Sequence, residues 1–320
     1  EYYPSLDCAI IPELTAASAP SVESLRKFIP DDELWPMGPS WAYHWADIDI
    51  LKNLNFEVLD DYRTGSLEEF VEATQIAQAT VIQFALETYR RRKPKMSGVA
   101  LCHFMTHVPD IKWGVIDYYG KKKLAFDWLK RAYQPLLPSL QFEKRRWNPG
   151  SEFRASLWIV NDYQHAYDDL VLEWRVLYEG EDTGVSGSQA VVVEPDSSCH
   201  FVDIGWTLAA NAAGNFEVAV VLRNKAGEVV ADNHYTLLVG DQEAAKSRSL
   251  EYLEEARQRL PPGGDQLFEG LVATQHEAEE RGGCEGEYGE GDQVHDELLG
   301  PDGSHPPGGH LLLDLPPEDP

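Results

Sequence analysis

The sequence predicts an α/β segment, then an all-β domain, then a disordered acidic tail. Three observations carry this. Two short apolar runs, residues 9–14 and 97–104, flank a long stretch of helical hydrophobic period. Beyond Pro138 the period changes to two, the signature of half-buried strands. After Pro261 the chain turns rich in Gly, Pro, Glu and Asp and poor in β-branched residues, so it lacks the apolar surface that would offset ordering entropy.

Taken in order, residues 7–12 read as a buried strand that delivers Glu13 at its C-terminal end. In a parallel α/β architecture that end faces the active-site loops, so an acid there is a catalytic candidate. Residues 21–28 read as a short helix stopped before Pro30. Residues 30–65 read as one long irregular loop, broken by Pro30, Pro36, Gly38 and Pro39. That loop carries Trp35, Trp41, Tyr43, His44 and Trp45, an aromatic set suited to walling a sugar ring.

Ser66 with Glu69 three residues on forms a capping box and opens a helix to about residue 92. Its apolar stripe runs through Leu67, Phe70, Val71, Ala77, Val81, Phe84 and Ala85. The closing run Arg90-Arg91-Arg92-Lys93 suits the negative end of the helix dipole and reads as capping, not as a nucleic-acid patch. Residues 97–104 form the next strand, followed by a polar loop with His103, Met105, Thr106, His107 and Asp110. Residues 122–132 form a further helix, closed by Pro135. The order β-α-loop-α-β-α amounts to the last two β/α units of a (β/α)8 barrel, a piece that lacks its structural neighbours.

The alternating runs 153–160, 170–176, 216–222 and 229–239 predict a small sandwich of immunoglobulin-like size and strand spacing. The predicted domains are therefore residues 1–138 (the C-terminal part of a barrel), 139–241 (the sandwich), 242–262 (a short charged helix) and 263–320 (the tail).

The 320 residues carry a net charge of −27, which excludes nucleic acid and anionic membrane as expected partners. Residues 261–320 hold 15 Asp and Glu against one Arg, so the tail accounts for about half of that charge. Cys8, Cys102, Cys199 and Cys284 are scattered and match neither a metal spacing nor a disulfide framework. No apolar run is long enough to span a bilayer. Nothing implies a cofactor. A metal reading exists in His103, His107 and Asp110, where the His-x-x-x-His spacing lies on a loop.

Four segments carry a family resemblance. They are Pro12-Glu13-Leu14 with Ser18-Ala19-Pro20-Ser21 and Leu25-Arg26; Gly38-Pro39-Ser40-Trp41-Ala42-Tyr43-His44-Trp45-Ala46-Asp47; Arg90-Arg91-Arg92-Lys93-Pro94 with Ser97-Gly98-Val99; and Trp113-Gly114-Val115-Ile116-Asp117-Tyr118-Tyr119-Gly120 with Arg131-Ala132-Tyr133-Gln134-Pro135. Over roughly residues 5–240 the chain resembles the C-terminal half of family-2 glycoside hydrolases of the β-mannosidase type. The resemblance implies a glycoside hydrolase that retains configuration and removes terminal β-mannosyl or related sugars. It gives Glu13 as nucleophile and Trp41, His44, His103 and Trp113 as substrate contacts.

The family's acid/base Glu follows an Asn on an upstream strand, and no such segment occurs here. The expected partners are thus a β-glycoside substrate and the missing N-terminal barrel and sandwich domains, and the isolated chain is expected to be inactive. Cys102 stands where the family has a Trp that floors the sugar subsite. That departure supports the alternative of a non-catalytic carbohydrate-binding or interaction module derived from the family. The sequence does not fix the compartment; the cytoplasm is favoured.

Overall fold

A computed structural model describes residues 9–258. The predicted tail, the last residues of the predicted helix 242–262, Cys8 and Cys284 lie outside the described residues. Among those described, no helix is long and apolar enough to cross a membrane.

The first part is α/β. Strand β1 (Ile10–Leu14) pairs in parallel with β2 (Gly98–Leu101), and the two form a separate sheet with no third strand among the described residues. Between them run five helices: α1 (Val22–Leu25), α2 (Asp31–Leu34), α3 (Pro39–Tyr43), α4 (Ile48–Leu59) and α5 (Leu67–Arg90). After β2 comes α6 (Leu124–Ala132).

Helix α5 forms as the capping box predicts, with the Ser66 hydroxyl accepting the Glu69 amide. Its buried residues Ala79, Ile82, Ala85 and Leu86 pack under Ile11 and Leu14 of β1 and against Ala125, Leu129 and Ala132 of α6. A second core gathers Leu25, Leu34, Trp41, Leu51, Leu67 and Phe70.

Residues 30–65 are largely helical, which corrects the expectation of an irregular loop. Three of the four expected breakers, Pro30, Gly38 and Pro39, stand at helix starts. Pro39 occupies the first turn of α3 behind Gly38, where its missing N–H costs nothing. Asp47 caps α4 by accepting the Ile50 amide, and Asp60 ends it in the left-handed conformation.

The second part is a β-sandwich. Its strands are β3 (Leu136–Phe142), β4 (Arg146–Trp147), β5 (Glu152–Asn161), β6 (Tyr167–Tyr178), β7 (Glu181–Val193), β8 (Ser197–Thr207), β9 (Gly214–Arg223) and β10 (Val229–Val239). One sheet has the order β4-β10-β9-β6-β7 and the other β3-β5-β8. Phe153, Leu157, Leu172, Val176, Phe216, Val218 and Leu237 interleave between the sheets. The sandwich begins at Leu136, ahead of the predicted boundary at residue 138. Pro138 lies inside β3, which a proline tolerates because β3 is an edge strand paired only with β5.

The two parts share one buried polar cluster. Glu87 of α5 is 1% exposed. Its Oε2 accepts from the hydroxyls of Tyr235 (2.5 Å) and Ser139 (2.7 Å), and its Oε1 from the amides of Asn233 (2.8 Å) and Gln83 (3.0 Å). At the rim Arg90 and Lys93 reach Asp162 at 2.7 Å each. Helix α7 (Gln242–Gln258) follows the sandwich and returns to α4. There Ser249 bonds Asn53 (2.9 Å), Tyr252 bonds Asp49 (2.6 Å), and the Tyr252 ring lies 4.7 Å from that of Tyr62.

Candidate active site

Glu13 is set by an irregularity in its own strand. On β1 Ile11 is opposite Val99 and Leu14 is opposite Leu101, so three steps on β1 face two on β2. A bulge of this kind turns the extra residue out of register. Strict alternation would place Glu13 on the same face as buried Ile11. Instead Ile11 and Leu14 point into the core while Pro12 and Glu13 are exposed.

Cys102 stands directly beside it. Its amide donates to the Leu14 carbonyl at 3.0 Å, which extends the β1–β2 pairing by one step. Burial raises the Cys102 thiol above its ordinary range, and the hydrogen bond to the Glu13 carboxylate and that group's charge raise it further. The peptide from Cys102 to His103 is cis.

The loop after β2 supplies the rest. The His103 ring lies 5.3 Å from that of His107 and 5.6 Å from that of Trp113. The Lys112 ammonium sits 3.9 Å from the Trp45 ring and 4.4 Å from the Trp113 ring, a cation over two aromatic faces. His44 joins the two loops, because its Nδ1 is 2.8 Å from the Pro109 carbonyl and its own carbonyl accepts the Ile111 amide.

Beneath this surface lies a polar support built from Gln78, Lys123 and Asp117. Gln78 of α5 donates to the carbonyls of Ala16 (2.7 Å) and Trp113 (3.0 Å) and accepts from Ser18 (2.7 Å). The buried Lys123 ammonium donates to the carbonyls of Ser18 (2.9 Å) and Lys112 (3.0 Å), and burial pushes its pKa down to about 8. Asp117 accepts the amides of Tyr119 and Lys121 at 2.9 Å each, fixing the turn at Gly120. Asp117 was legible as part of the motif Trp113–Gly120. Gln78 had a weaker signal, a polar residue on the apolar stripe of an amphipathic helix.

The predicted site residues therefore divide. Glu13 lies beside Cys102 at the C-terminal ends of β1 and β2, His103 and Trp113 face each other in the loop that follows β2, and His44 anchors the neighbouring loop. Trp41 does not join them, which corrects its assignment as a sugar contact. It is 0% exposed, packs on Phe70, and gives its indole N–H to the Glu33 carbonyl at 3.0 Å. Trp45, four residues on, is the exposed indole at the site. Among the described residues no three His, Cys, Asp or Glu form a group that could hold a metal ion.

No family model matches the chain. In sequence it is 24% identical over 185 residues to Beta-mannosidase B of Aspergillus terreus, which covers 55% of this chain and 22% of the relative. It is 27% identical over 155 residues to Beta-mannosidase B of Aspergillus oryzae, covering 45% and 18%. In structure it is similar to a beta-D-mannosidase from Dictyoglomus thermophilum, with a TM-score of 0.61 and 20% identity over 74% of this chain and 28% of that one. It is also similar to an exo-chitosanase from Amycolatopsis orientalis, with a TM-score of 0.58 and 16% identity over 72% and 27%. The chain thus spans about a fifth of the length of the curated relatives it matches.

Proposed function

We propose that this chain, which resembles β-mannosidase-type family-2 glycoside hydrolases, is the nucleophile-bearing C-terminal piece of a retaining exo-β-glycosidase. Its substrates are terminal β-mannosides or closely related β-glycosides. On this reading residues 9 to about 135 are the last two β/α units of a (β/α)8 barrel, and residues 136–239 are an immunoglobulin-like domain behind it. The observation that carries the reading is Glu13, a solvent-facing carboxylate turned out by a bulge at the C-terminal end of a parallel strand, beside an aromatic and histidine-rich loop.

Glu13 would attack the anomeric carbon to form a glycosyl ester, with inversion at that carbon. Water then displaces the carboxylate with a second inversion, so configuration is retained. The leaving oxygen must gain a proton and the attacking water must lose one, both through a second carboxyl about 5 Å from the first. On this reading that group belongs to the upstream part of the barrel, which also covers the bare edge of β1. Trp113 and Trp45 offer faces for the sugar ring, and His103 a hydrogen-bonding edge.

The experiment is mechanism-based trapping. The chain is combined with an upstream fragment bearing the remaining strands and treated with a 2-deoxy-2-fluoro-β-mannosyl fluoride. A mass increase on the peptide containing Glu13 is expected, and it disappears in Glu13→Gln. No adduct on a folded complex overturns the reading.

A second reading is favoured by Cys102. A thiol in place of a subsite indole, next to exposed Phe104, Met105 and Val108, suits a module that binds without turnover. Saccharide binding by the folded complex without any Glu13 adduct would support it.

A further inference from the structure

A cleft of about 1100 Å³ lies between the C-terminal half of α5 and the outer face of the three-stranded sheet. It is remote from Glu13 along the helix. Gln78 supports the Glu13 face, and the cleft residues Phe84 and Thr88 follow it on α5 at about 9 and 15 Å along the axis.

Alternation on β5 builds the floor. Phe153, Leu157 and Ile159 point into the sandwich core, so Arg154, Ser156 and Trp158 point outward. Register then places Gln141 of β3 and Asp203 of β8 on either side of Ser156, and Gly205 beside Arg154. An amide, a hydroxyl and a carboxylate thus stand abreast across three strands. Trp158 follows one step along β5, roughly 7 Å on. It is half-buried with its indole nitrogen wholly covered, so the part of the side chain left open is ring carbon. The polar row is held in place. Asp203 Oδ1 accepts from the Ser156 hydroxyl at 2.7 Å and lies 2.9 Å from His200 Nε2, and these bonds hold its carboxyl below its ordinary range. The Gln141 side chain is exposed, with both a donor and an acceptor to offer.

We propose that this cleft is an accessory binding site for a neutral oligosaccharide, with Trp158 as the platform for a sugar ring and Gln141, Ser156 and Asp203 as partners for its hydroxyls. The site goes beyond the Glu13 reading and does not depend on it. The surroundings choose the ligand class. Arg154 is paired with Glu152, Arg91 is held by Ser139 beside Glu87, and Lys144 lies over the Trp147 ring. Neither a polyanion nor a polycation therefore meets an unbalanced surface. A neutral sugar brings apolar C–H faces together with hydroxyls that both donate and accept, which suits a carbon platform next to a mixed polar row.

The test uses the full chain, with the indole signals of Trp113 and Trp158 followed separately by NMR. The probes are neutral mannohexaose, anionic hexagalacturonate and a cationic chitosan hexamer. Mannohexaose is expected to shift the Trp158 indole in the millimolar range, and the charged probes to act more weakly. Gly205→Ile fills the floor of the cleft and is expected to abolish that shift. Edge strand β8 accepts the change, because an added Cβ meets nothing nearer than Glu152 Oε1 at 3.4 Å. Gln141→Ala removes an exposed amide and is expected to weaken mannohexaose by a few-fold to about tenfold at an unchanged melting temperature.

No shift at Trp158, a stronger response to a charged probe, or wild-type affinity in either folded variant overturns the proposal. If Gly205→Ile fails to fold, Gln141→Ala decides. Loss of the Trp158 response once the upstream fragment is bound also overturns it, since the cleft would then be a contact between domains. A shift confined to Trp113 would place the sugar at the Glu13 loop, which removes the accessory site and leaves the glycosidase reading intact. A Trp158 response without any Glu13 adduct does the reverse.

Discussion

The phenol of Tyr235 donates to Glu87 at 2.5 Å, joining residues 148 positions apart across the junction of the α/β part and the sandwich. Burial and the neighbouring carboxylate hold the Tyr235 hydroxyl well above its ordinary pKa, so it remains the donor. The same carboxylate also accepts from Ser139, Asn233 and Gln83, and Arg91 lies 3.8 Å away. Glu87→Leu strands all of these partners and is expected to cost about 3–5 kcal/mol. Tyr235→Phe removes one donor and should cost about 1–3 kcal/mol. Urea unfolding at neutral pH measures both. A Glu87→Leu loss below about 1 kcal/mol would show that the junction does not depend on this cluster.

Lys123 gives a pH dependence whose direction can be worked out. Its ammonium is disfavoured by burial, so its pKa falls from 10.5 in the unfolded chain to about 8 in the fold. Between those values the unfolded chain binds the extra proton, and stability rises with pH across that window. Below it the full penalty applies, and above it none does. In Lys123→Met this contribution vanishes. Wild type should therefore gain on the variant by about 3 kcal/mol between pH 7.5 and pH 11. Chemical denaturation of both proteins across that range checks it, and a constant difference would refute it.

Glu13 and Cys102 can be read through thiol chemistry without any turnover. The Glu13 carboxylate contributes to the raised Cys102 pKa, though burial contributes more. Glu13→Gln removes the charge, so the thiolate fraction at pH 8 should rise and alkylation of Cys102 should quicken by a few-fold. The rates are compared in a background with Cys8, Cys199 and Cys284 changed to Ser. Equal rates across the pH profile would separate the two side chains in solution.

Gly114 tests how tightly the site loop is packed. A Cβ there would meet the Thr106 hydroxyl, the Ile116 carbonyl at 2.7 Å and the Thr106 amide at 2.9 Å. Two of these are backbone atoms and cannot step aside. Gly114→Ala should lower stability by about 1–3 kcal/mol and shift the Trp113 indole signal. A folded variant with the wild-type melting temperature and an unshifted Trp113 would mean that the loop has slack the packing does not suggest.

The sequence made the sandwich legible where strands carry apolar residues on one face, as in β5, β6, β9 and β10. It left β7 and β8 unread for opposite reasons. Edge strand β7 is mostly exposed and built from Thr, Ser, Gly and Gln, so it shows little alternation. β8 interrupts its pattern with Asp203 and Gly205. Ser66 and Glu69 announced α5, whereas Pro36, Gly38 and Pro39 hid the helices they border. At the site Glu13 was legible as an acid ending an apolar run. The bulge that exposes it was not, because register is a relation between β1 and β2. Trp41 and Trp45 look alike in sequence. Only the fold of α3 decides that one is packed against Phe70 and the other left outside. Asp110 was read as one polar residue among many in its loop, since burial of a carboxylate comes from the layers packed over it.

Because α7 comes after the sandwich yet closes on α4 before it, the order of the chain does not match the order of its layers. The sandwich is held like an insertion whose two ends are both fastened to the same helical body, through β3 on one side and α7 on the other. Cutting the polypeptide at Gly240 would therefore leave a helix that belongs, by its bonds to Asn53 and Asp49, to the part it was severed from. A shortened version ending at β10 would strip Phe56 and Tyr62 of the cover that Arg248 and Tyr252 give them, so a version for expression must keep α7.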